Sequence, residues 1–303
     1  MLTKISDLED QLSKRKKKAT LAVAAVKDEN IFQAALTARD RDLVDVTMIG
    51  NESRIQAYAD EKDFDLAGVT IICEDDDHQA GQKAVELIND GKAQILMNGQ
   101  EGYHGAAVIT RAVTPASARI MRSKRISHLA LCELEGYHKL IGITDLVYNI
   151  QPELMDKAAI ISNSVFFMRV LGIETPKVAV LAAVEVVNEA MPATMHAAML
   201  SKMAQRGQLK NCIVEGPLAF DNAISLEGAI HKGIPNDVSG DPDILLAPDI
   251  ETAGMLYQSF VFFARAKVAS ITLGTSVPIV FTSQLDSHET RVNSILMAAS
   301  LDA

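Results

Sequence analysis

Short, nearly all apolar runs of β-forming residues alternate with helix-patterned segments from one end of this chain to the other. That alternation restricts the folds open to it. The runs fall at 20–26, 43–49, 69–73, 95–97, 128–132, 140–144, 178–182, 212–214, 244–247, 269–273 and 279–282. A strand with one wet face alternates apolar and polar residues. These runs do not, so each is expected to be covered on both faces, as strands of a parallel sheet are. Helical patterns at 31–39, 55–59, 79–89, 106–113, 152–170, 192–205, 224–232 and 252–267 lie between them. The order predicts an α/β protein, three-layer α/β/α, with mostly parallel sheets. Only a polar turn with Gly136 separates 128–132 from 140–144. That is too short for a crossover helix, so this pair is expected to form a hairpin.

At 303 residues the chain exceeds the usual size of one domain, and two are expected. The boundary is placed where the strand pair gives way to a long helix near Pro152. Residues 1–150 form a first α/β domain and 151–290 a second, with the last helix, 291–303, returning to the first. A net charge of −10 argues against nucleic acid or an anionic membrane as the main partner. Cys73, Cys132 and Cys212 are odd in number and scattered, the pattern of a reduced, cytoplasmic protein with no metal-ligand spacing. A basic run at 14–18 follows a first helix expected at 2–12. The apolar stretch behind it, 19–26, is too short for a signal peptide or a span of ~20 residues, and is read as a buried strand. The chain lacks G-x-x-x-x-G-K-[ST], H-E-x-x-H and G-x-S-x-G, and has no G-x-G-x-x-G after its first strand. P-loop ATPases, zincins, α/β hydrolases and standard Rossmann dehydrogenases are therefore not expected.

Candidate chemistry gathers at strand ends. Residues 277–293 read VPIVFTSQLDSHETRVN: an apolar strand, then Ser283, Gln284, Asp286, Ser287, His288, Glu289 and Thr290, then a helix. A polar turn between strand and helix is where an open α/β sheet places ligands, and the helix start favours anions. Neighbouring Ser, His and Asp positions do not make a triad. In 178–192, Glu185, Asn188 and Glu189 follow a strand, to contact a ligand or to cap a helix. In 214–224, Gly216-Pro217 is expected to turn the chain after a strand, and Asp221-Asn222 to cap the next helix. In 239–257, Asp249, Glu251 and Thr252 open a helix. Gly254 admits either a ligand or a closely packed neighbour. The methionines of 195–203 read as core. In the first half, Asn98-Gly99, Thr110-Arg111, Ser127-His128, Thr144-Asp145 and Asn149 flank strands, and Arg111 has the fork geometry for phosphate.

Taken in order, MNGQ at 97–100, ISHLALCELEGYHKLIGITDLVYNIQPEL at 126–154, VNEAMPATMHAAMLSKMA at 187–204, VEGPLAFDNAIS at 214–225, SGDPDILLAPDIETAGMLYQS at 239–259 and VPIVFTSQLDSHETRVNSI at 277–295 resemble the phosphate acetyl/butyryl transferase family, its butyryl branch in particular. The resemblance implies two domains of the isocitrate/isopropylmalate dehydrogenase-like type, a homodimer, and a cleft for coenzyme A and an acyl phosphate. It implies transfer of a short acyl group between coenzyme A and phosphate through a ternary complex, with no metal and no covalently bound cofactor. Ser283 falls on the family's strand-end serine, Arg111 on a phosphate-binding arginine, and Ser127 on a cleft serine. Gln284 stands where the family has arginine, and Thr290 where the acetyl branch has a carboxylate base. That makes Asp286 or Glu289 the base, with Arg111, Ser127, Gln284 and Thr290 on the phosphate side and Asn188, Asp249, Glu251 and Gly254 toward coenzyme A. Arg111, Lys124 or Arg291 would have to supply the missing charge. The alternative is a weak or inactive relative that binds coenzyme A. An NAD-dependent dehydrogenase is not expected, because clustered metal-binding aspartates are missing.

Overall fold

Contacts divide the chain into two compact units in the computed structural model, which describes residues 2–13 and 17–301. One unit draws on Ile5–Arg122 and Ala269–Ala303, the other on Met1–Lys4 and Ser123–Val268. This division by contact falls elsewhere than the limits of 150 and 290 drawn from the turn and helix pattern. Lys14, Arg15 and Lys16 of the basic run lie outside the described residues.

The first unit begins with α1 (Asp7–Leu12), shorter than the helix expected over 2–12. It continues β1 (Ala19–Ala24), α2 (Glu29–Asp40), β2 (Val44–Gly50), α3 (Glu52–Lys62), β3 (Thr70–Cys73), α4 (Asp77–Asn89), β4 (Ile95–Asn98) and α5 (Gly102–Val113). The helices start where an Asp or Asn follows a strand. Asp28 accepts from Asn30 and Ile31 N–H, Asn51 from Arg54 N–H and Asp76 from Gln79 N–H, meeting donors a helix cannot satisfy itself. β2 lies between β3 and β1, and β1 pairs with β4, all parallel. On one side of this sheet Ala22, Ile49, Val85, Leu96 and Ile109 form a core. Elsewhere Phe32, fully buried on α2, meets Tyr58 and Phe64 at ring centroid distances of 5.7 and 5.9 Å.

The second unit holds β5 (Ser127–Glu133), β6 (Ile141–Thr144), α6 (Leu154–Val170), β7 (Lys177–Leu181), α7 (Pro192–Gln205), β8 (Ile213–Leu218), α8 (Phe220–Ile224), α9 (Leu226–His231), β9 (Ile244–Leu246) and α10 (Ile250–Phe262). β5 and β6 form the expected antiparallel hairpin, with Leu129 opposite Thr144. The remaining order, β6-β9-β7-β8, is parallel throughout.

Five expectations need correction here. The methionines of 195–203 are not core: Met195 and Met203 are half-buried and Met199 is exposed. β3 is not covered on both faces, its residues being exposed or half-buried. Gly216-Pro217 does not end its strand. β8 runs through both residues with a shifted register, which its place last in the strand order permits because proline lacks a ladder N–H. The helix expected over 224–232 is broken at Ser225, whose hydroxyl caps α9 by accepting from Gly228 N–H. Asp221 and Asn222 therefore sit inside α8 rather than capping that helix. The helix expected to reach 267 stops at Phe262. Arg265 takes φ 51°, and Lys267 already belongs to the next strand.

The first unit is completed by β10 (Lys267–Leu273), β11 (Ile279–Val280) and α11 (His288–Ala299). β11 is antiparallel to β10 and parallel to β4, with Ile279 opposite Leu96 and Val280 opposite Met97. α11 packs on α1 and α2. The core residue with most to lose in this unit is Phe32. Phe32→Ala should cost about 3–5 kcal/mol of unfolding free energy, seen as a lower urea midpoint with an unchanged slope. A loss below about 1 kcal/mol would mean Tyr58 and Phe64 collapse into the space.

Candidate functional site

β4 and β11 run parallel, so both chains leave the sheet at the same end of the first unit. Asn98 to Glu101 follow one strand and Thr282 to Asp286 the other. The backbone is tight here. A Cβ on Gly105 would lie 1.8 Å from the Gln100 carbonyl oxygen, so only glycine lets α5 start this close to the strand end. Ser283 is half-buried. Its N–H donates to Asp286 Oδ2 at 2.7 Å, and Asp286 N–H returns to the Ser283 carbonyl at 3.1 Å, closing a compact turn. Gln284 is exposed, and its side-chain amide lies over Gly102 at the start of α5.

The other residues proposed for this turn divide by what they touch. Glu289 forms a bidentate pair with Arg41, both bonds 3.1 Å. Both partners are largely exposed, so the pair contributes about 0–1 kcal/mol, yet it turns that carboxylate toward α2. Thr290 belongs to the helix cap: its N–H donates to the Ser287 hydroxyl, and the two hydroxyls lie 3.0 Å apart. Asp286, not Glu289, is thus the carboxylate the fold sets against Ser283. Arg291 is buried, pairs with Glu101 and donates to the carbonyl oxygens of Ser283 and Asp286. Burial pushes the Glu101 carboxyl above its ordinary range, although the Arg291 guanidinium pulls against it.

Arg111 stands on the exposed face of α5 and has no ion pair among the described residues. It lines a cavity of about 310 Å³ with Asp77, His78, Gln100 and His104. Burial alone would raise Asp77. Hydrogen bonds from Lys27 and Gln100 outweigh it and hold that carboxyl below its usual range, so the Asp77 charge is already met by neighbours other than Arg111.

In the second unit Ser127 is fully buried, and its Oγ accepts from Asn163 Nδ2 at 3.0 Å. Beside it, burial drives His128 down to about 3, so its ring stays neutral. Asp145 is a structural knot, accepting from the His128, Val147 and Tyr148 amides and from the Asn149 side chain. Asn188 is exposed, and its Oδ1 accepts from Ala190 N–H at 2.9 Å, a loop turn. Asp249 caps α10 through Thr252 N–H at 2.8 Å, and Glu251 is exposed on the first turn. Around Gly254 nothing lies within 4 Å of where a Cβ would stand. Close helix–sheet packing, one of the two readings of that glycine, is therefore excluded.

Sequence reasoning missed Lys157 and His196. Lys157 is buried on α6, with Nζ 3.2 Å from His196 Nδ1 on α7. Burial lowers both groups, and each also feels charged neighbours. Asp249 and Glu153 pull Lys157 back up, while the Lys157 ammonium lowers His196 further. The one sequence signal was a lysine on the buried face of a helical pattern. Burial holds the thiols of Cys132 and Cys212 up at about 12 and about 11, so neither is a ready nucleophile. Among the described residues, no cluster of three or more His, Cys, Asp or Glu side chains is placed to hold a metal. No helix among them is long and apolar enough to cross a membrane.

This architecture is that of an isocitrate/isopropylmalate dehydrogenase-like α/β enzyme. The crystal structure of 4-hydroxythreonine-4-phosphate dehydrogenase from Klebsiella pneumoniae shares the fold alone, with a TM-score of 0.56 at 11% identity over 93% of this chain and 98% of that one. A branched-chain phosphotransacylase from Enterococcus faecalis V583 aligns at a TM-score of 0.79 and 28% identity, over 93% of this chain and 99% of that one. Residues 77–299 match the family described as phosphate acetyl/butaryl transferase. Phosphate butyryltransferase of Clostridium acetobutylicum is 41% identical over 286 residues, 94% of each chain. Phosphate acetyltransferase of Thermotoga maritima is 39% identical over 94% of this chain and 96% of its own. The chain belongs to the phosphate acetyl/butaryl transferase family.

The Lys157–His196 contact has a measurable consequence. A histidine whose pKa is lowered on folding contributes stability that is intact above its ordinary value of about 6.5 and lost as pH falls through it. The thermal midpoint of the native chain should therefore fall more steeply between pH ~7.5 and pH ~5 than that of His196→Gln. Parallel curves would show that the ring charges without cost beside Lys157.

Proposed function

We propose that the chain transfers a short acyl group, butyryl or branched, between coenzyme A and inorganic phosphate. What carries the reading is similarity over nearly the whole chain to proteins described as phosphate butyryltransferases. The Ser283 turn and the uncommitted Arg111 supply groups the chemistry needs. In the direction of acyl-CoA formation, a carboxylate takes the thiol proton of coenzyme A. The thiolate sulfur then attacks the acyl phosphate carbonyl, and phosphate departs with the electrons of the C–O bond. Asp286 is our choice of base. Ser283 donates to the oxyanion on the acyl carbon. Arg111 holds phosphate, with Gln284 and Thr290 as neutral contacts beside the turn. Asn188, Asp249, Glu251 and Gly254 are assigned to coenzyme A, and the open space at Gly254 suits a group lying against α10. The scheme needs no metal and no covalent cofactor, and we place it in the cytoplasm.

We also propose a homodimer. Met255 and Phe262, seven positions apart on α10, leave an apolar stripe in solvent next to Phe263, which is 89% exposed.

A second reading, an acyl-CoA-binding relative with weak or no turnover, is favoured by Gln284. A neutral amide cannot replace a guanidinium on phosphate.

Purified protein given butyryl-CoA or acetyl-CoA should release free coenzyme A only when phosphate is present, faster with butyryl-CoA. Ser283→Ala should lower kcat by about a hundredfold or more. Gln284→Arg should raise turnover at low phosphate by about tenfold. Coenzyme A binding by folded protein without release from either substrate would select the second reading.

A further inference from the structure

We propose that Arg291 and Glu101 form a positioning clamp that fixes the backbone of the Ser283 turn, and that this guanidinium serves the turn rather than a substrate anion. The proposal rests on reading Ser283 as a group that handles the acyl centre.

Arg291 lies on the first turn of α11 and is 4% exposed. Its Nη1 donates to the Asp286 carbonyl. Its Nη2 donates to the Ser283 carbonyl at 3.3 Å and pairs with Glu101. One planar fork therefore grips both ends of the Ser283–Asp286 turn and ties them to the residue that precedes α5. The Ser283 carbonyl is held twice, by Arg291 and by Asp286 N–H. The Arg291 Nε finds no protein partner, so the guanidinium faces the turn and leaves one donor unmet.

Glu101 supports the same conclusion. It occupies the cap position of α5 but makes no side-chain bond to the first helical amides. Its carboxylate goes to Arg291 instead, and the side chain is 8% exposed. A buried ion pair is a poor device for stability, since well-packed apolar residues of the same volume do as well. Its gain is geometric. A rigid fork sets two carbonyls and one carboxylate at once, which the single ammonium of lysine does not. With Arg291 so engaged, Arg111 is the one of the two arginines named for phosphate in this unit that no ion pair among the described residues engages.

The groups facing Glu101 are Arg291, Asp28 and Asp286. Burial and the two aspartates raise the carboxyl and Arg291 lowers it, with the net shift upward. Acidification should therefore neutralise Glu101, and loosen the turn, at a higher pH than for an exposed carboxylate.

The test combines amide hydrogen exchange of peptides covering 281–287 with steady-state kinetics, for the native chain, Arg291→Met, Arg291→Lys, Glu101→Gln and Ser283→Ala. The clamp predicts exchange about tenfold faster or more in Arg291→Met and Glu101→Gln, with part of the protection restored in Arg291→Lys. It predicts kcat lowered about tenfold with KM for phosphate changed less than about threefold. Loss of kcat on acidification should set in at lower pH in Glu101→Gln than in the native chain, because only the Asp286 base is then left to titrate. A rise in KM for phosphate with exchange unchanged would overturn the proposal in favour of direct anion binding, and unchanged exchange and kinetics would overturn it outright. If Arg291→Met does not fold, the near-isosteric Glu101→Gln decides. Ser283→Ala separates this proposal from the functional reading, because it should lose turnover while exchange in the turn rises only at Leu285, whose N–H donates to the Ser283 hydroxyl at 3.3 Å. If the native chain itself lacks transferase activity, the functional reading fails and the exchange measurement alone still decides the clamp.

Discussion

The parallel pairing of β11 with β4 spans only two residues on the β11 side, and the placing of the Ser283 turn beside Glu101 depends on it. Parallel alignment sends both chains out of the sheet at one end, so residues far apart in sequence become neighbours there. Two rungs of ladder are a weak tether. The buried side chains of Ile279 and Val280 supply part of the hold, and the bonds from Arg291 to the turn supply more. The same end of the sheet carries buried polar atoms without protein partners: Asn98 Oδ1, Thr282 Oγ1 and Arg291 Nε. Each unmet group costs about 1–3 kcal/mol. Such costs persist where structure is shaped for a task other than its own stability.

How much of this was legible in the sequence depended on sequence distance. Every mainly apolar run became a strand, because burial on both faces, which holds for most of them though not for β3, leaves a local signature that needs no knowledge of partners. The misreadings came where a local signal met a tertiary exception. Gly216-Pro217 reads as a turn, but at the end of the strand order it can remain extended. The pattern over 252–267 reads as one helix, but Arg265 turns left-handed and the chain re-enters the sheet.

The site followed the same rule. Ser283 and Asp286 are three residues apart, and their turn was visible. Glu101 and Arg291 are 190 apart, Arg41 and Glu289 are 248 apart, and Lys157 and His196 are 39 apart. No composition or spacing connects them, so Glu289 looked as good a base as Asp286, and Arg291 looked free to bind phosphate. Ser127 looked like a site serine, and its oxygen, fully buried, accepts from Asn163 Nδ2. In each case the deciding fact was a partner, and partners are set by topology.

The first unit is assembled from both ends of the chain, while almost all of the second lies within one continuous stretch. A ribosome delivers residues in order at ~5–20 per second, and domains tend to fold as they emerge. The unit that starts first therefore finishes last. Until β11 appears, one edge of β4 stays unpaired, an open template for another strand. The nascent chain carries that exposed edge through synthesis of the entire second unit. The last thirty or so residues, besides bearing the Ser283 turn, act as the closure that retires this hazard.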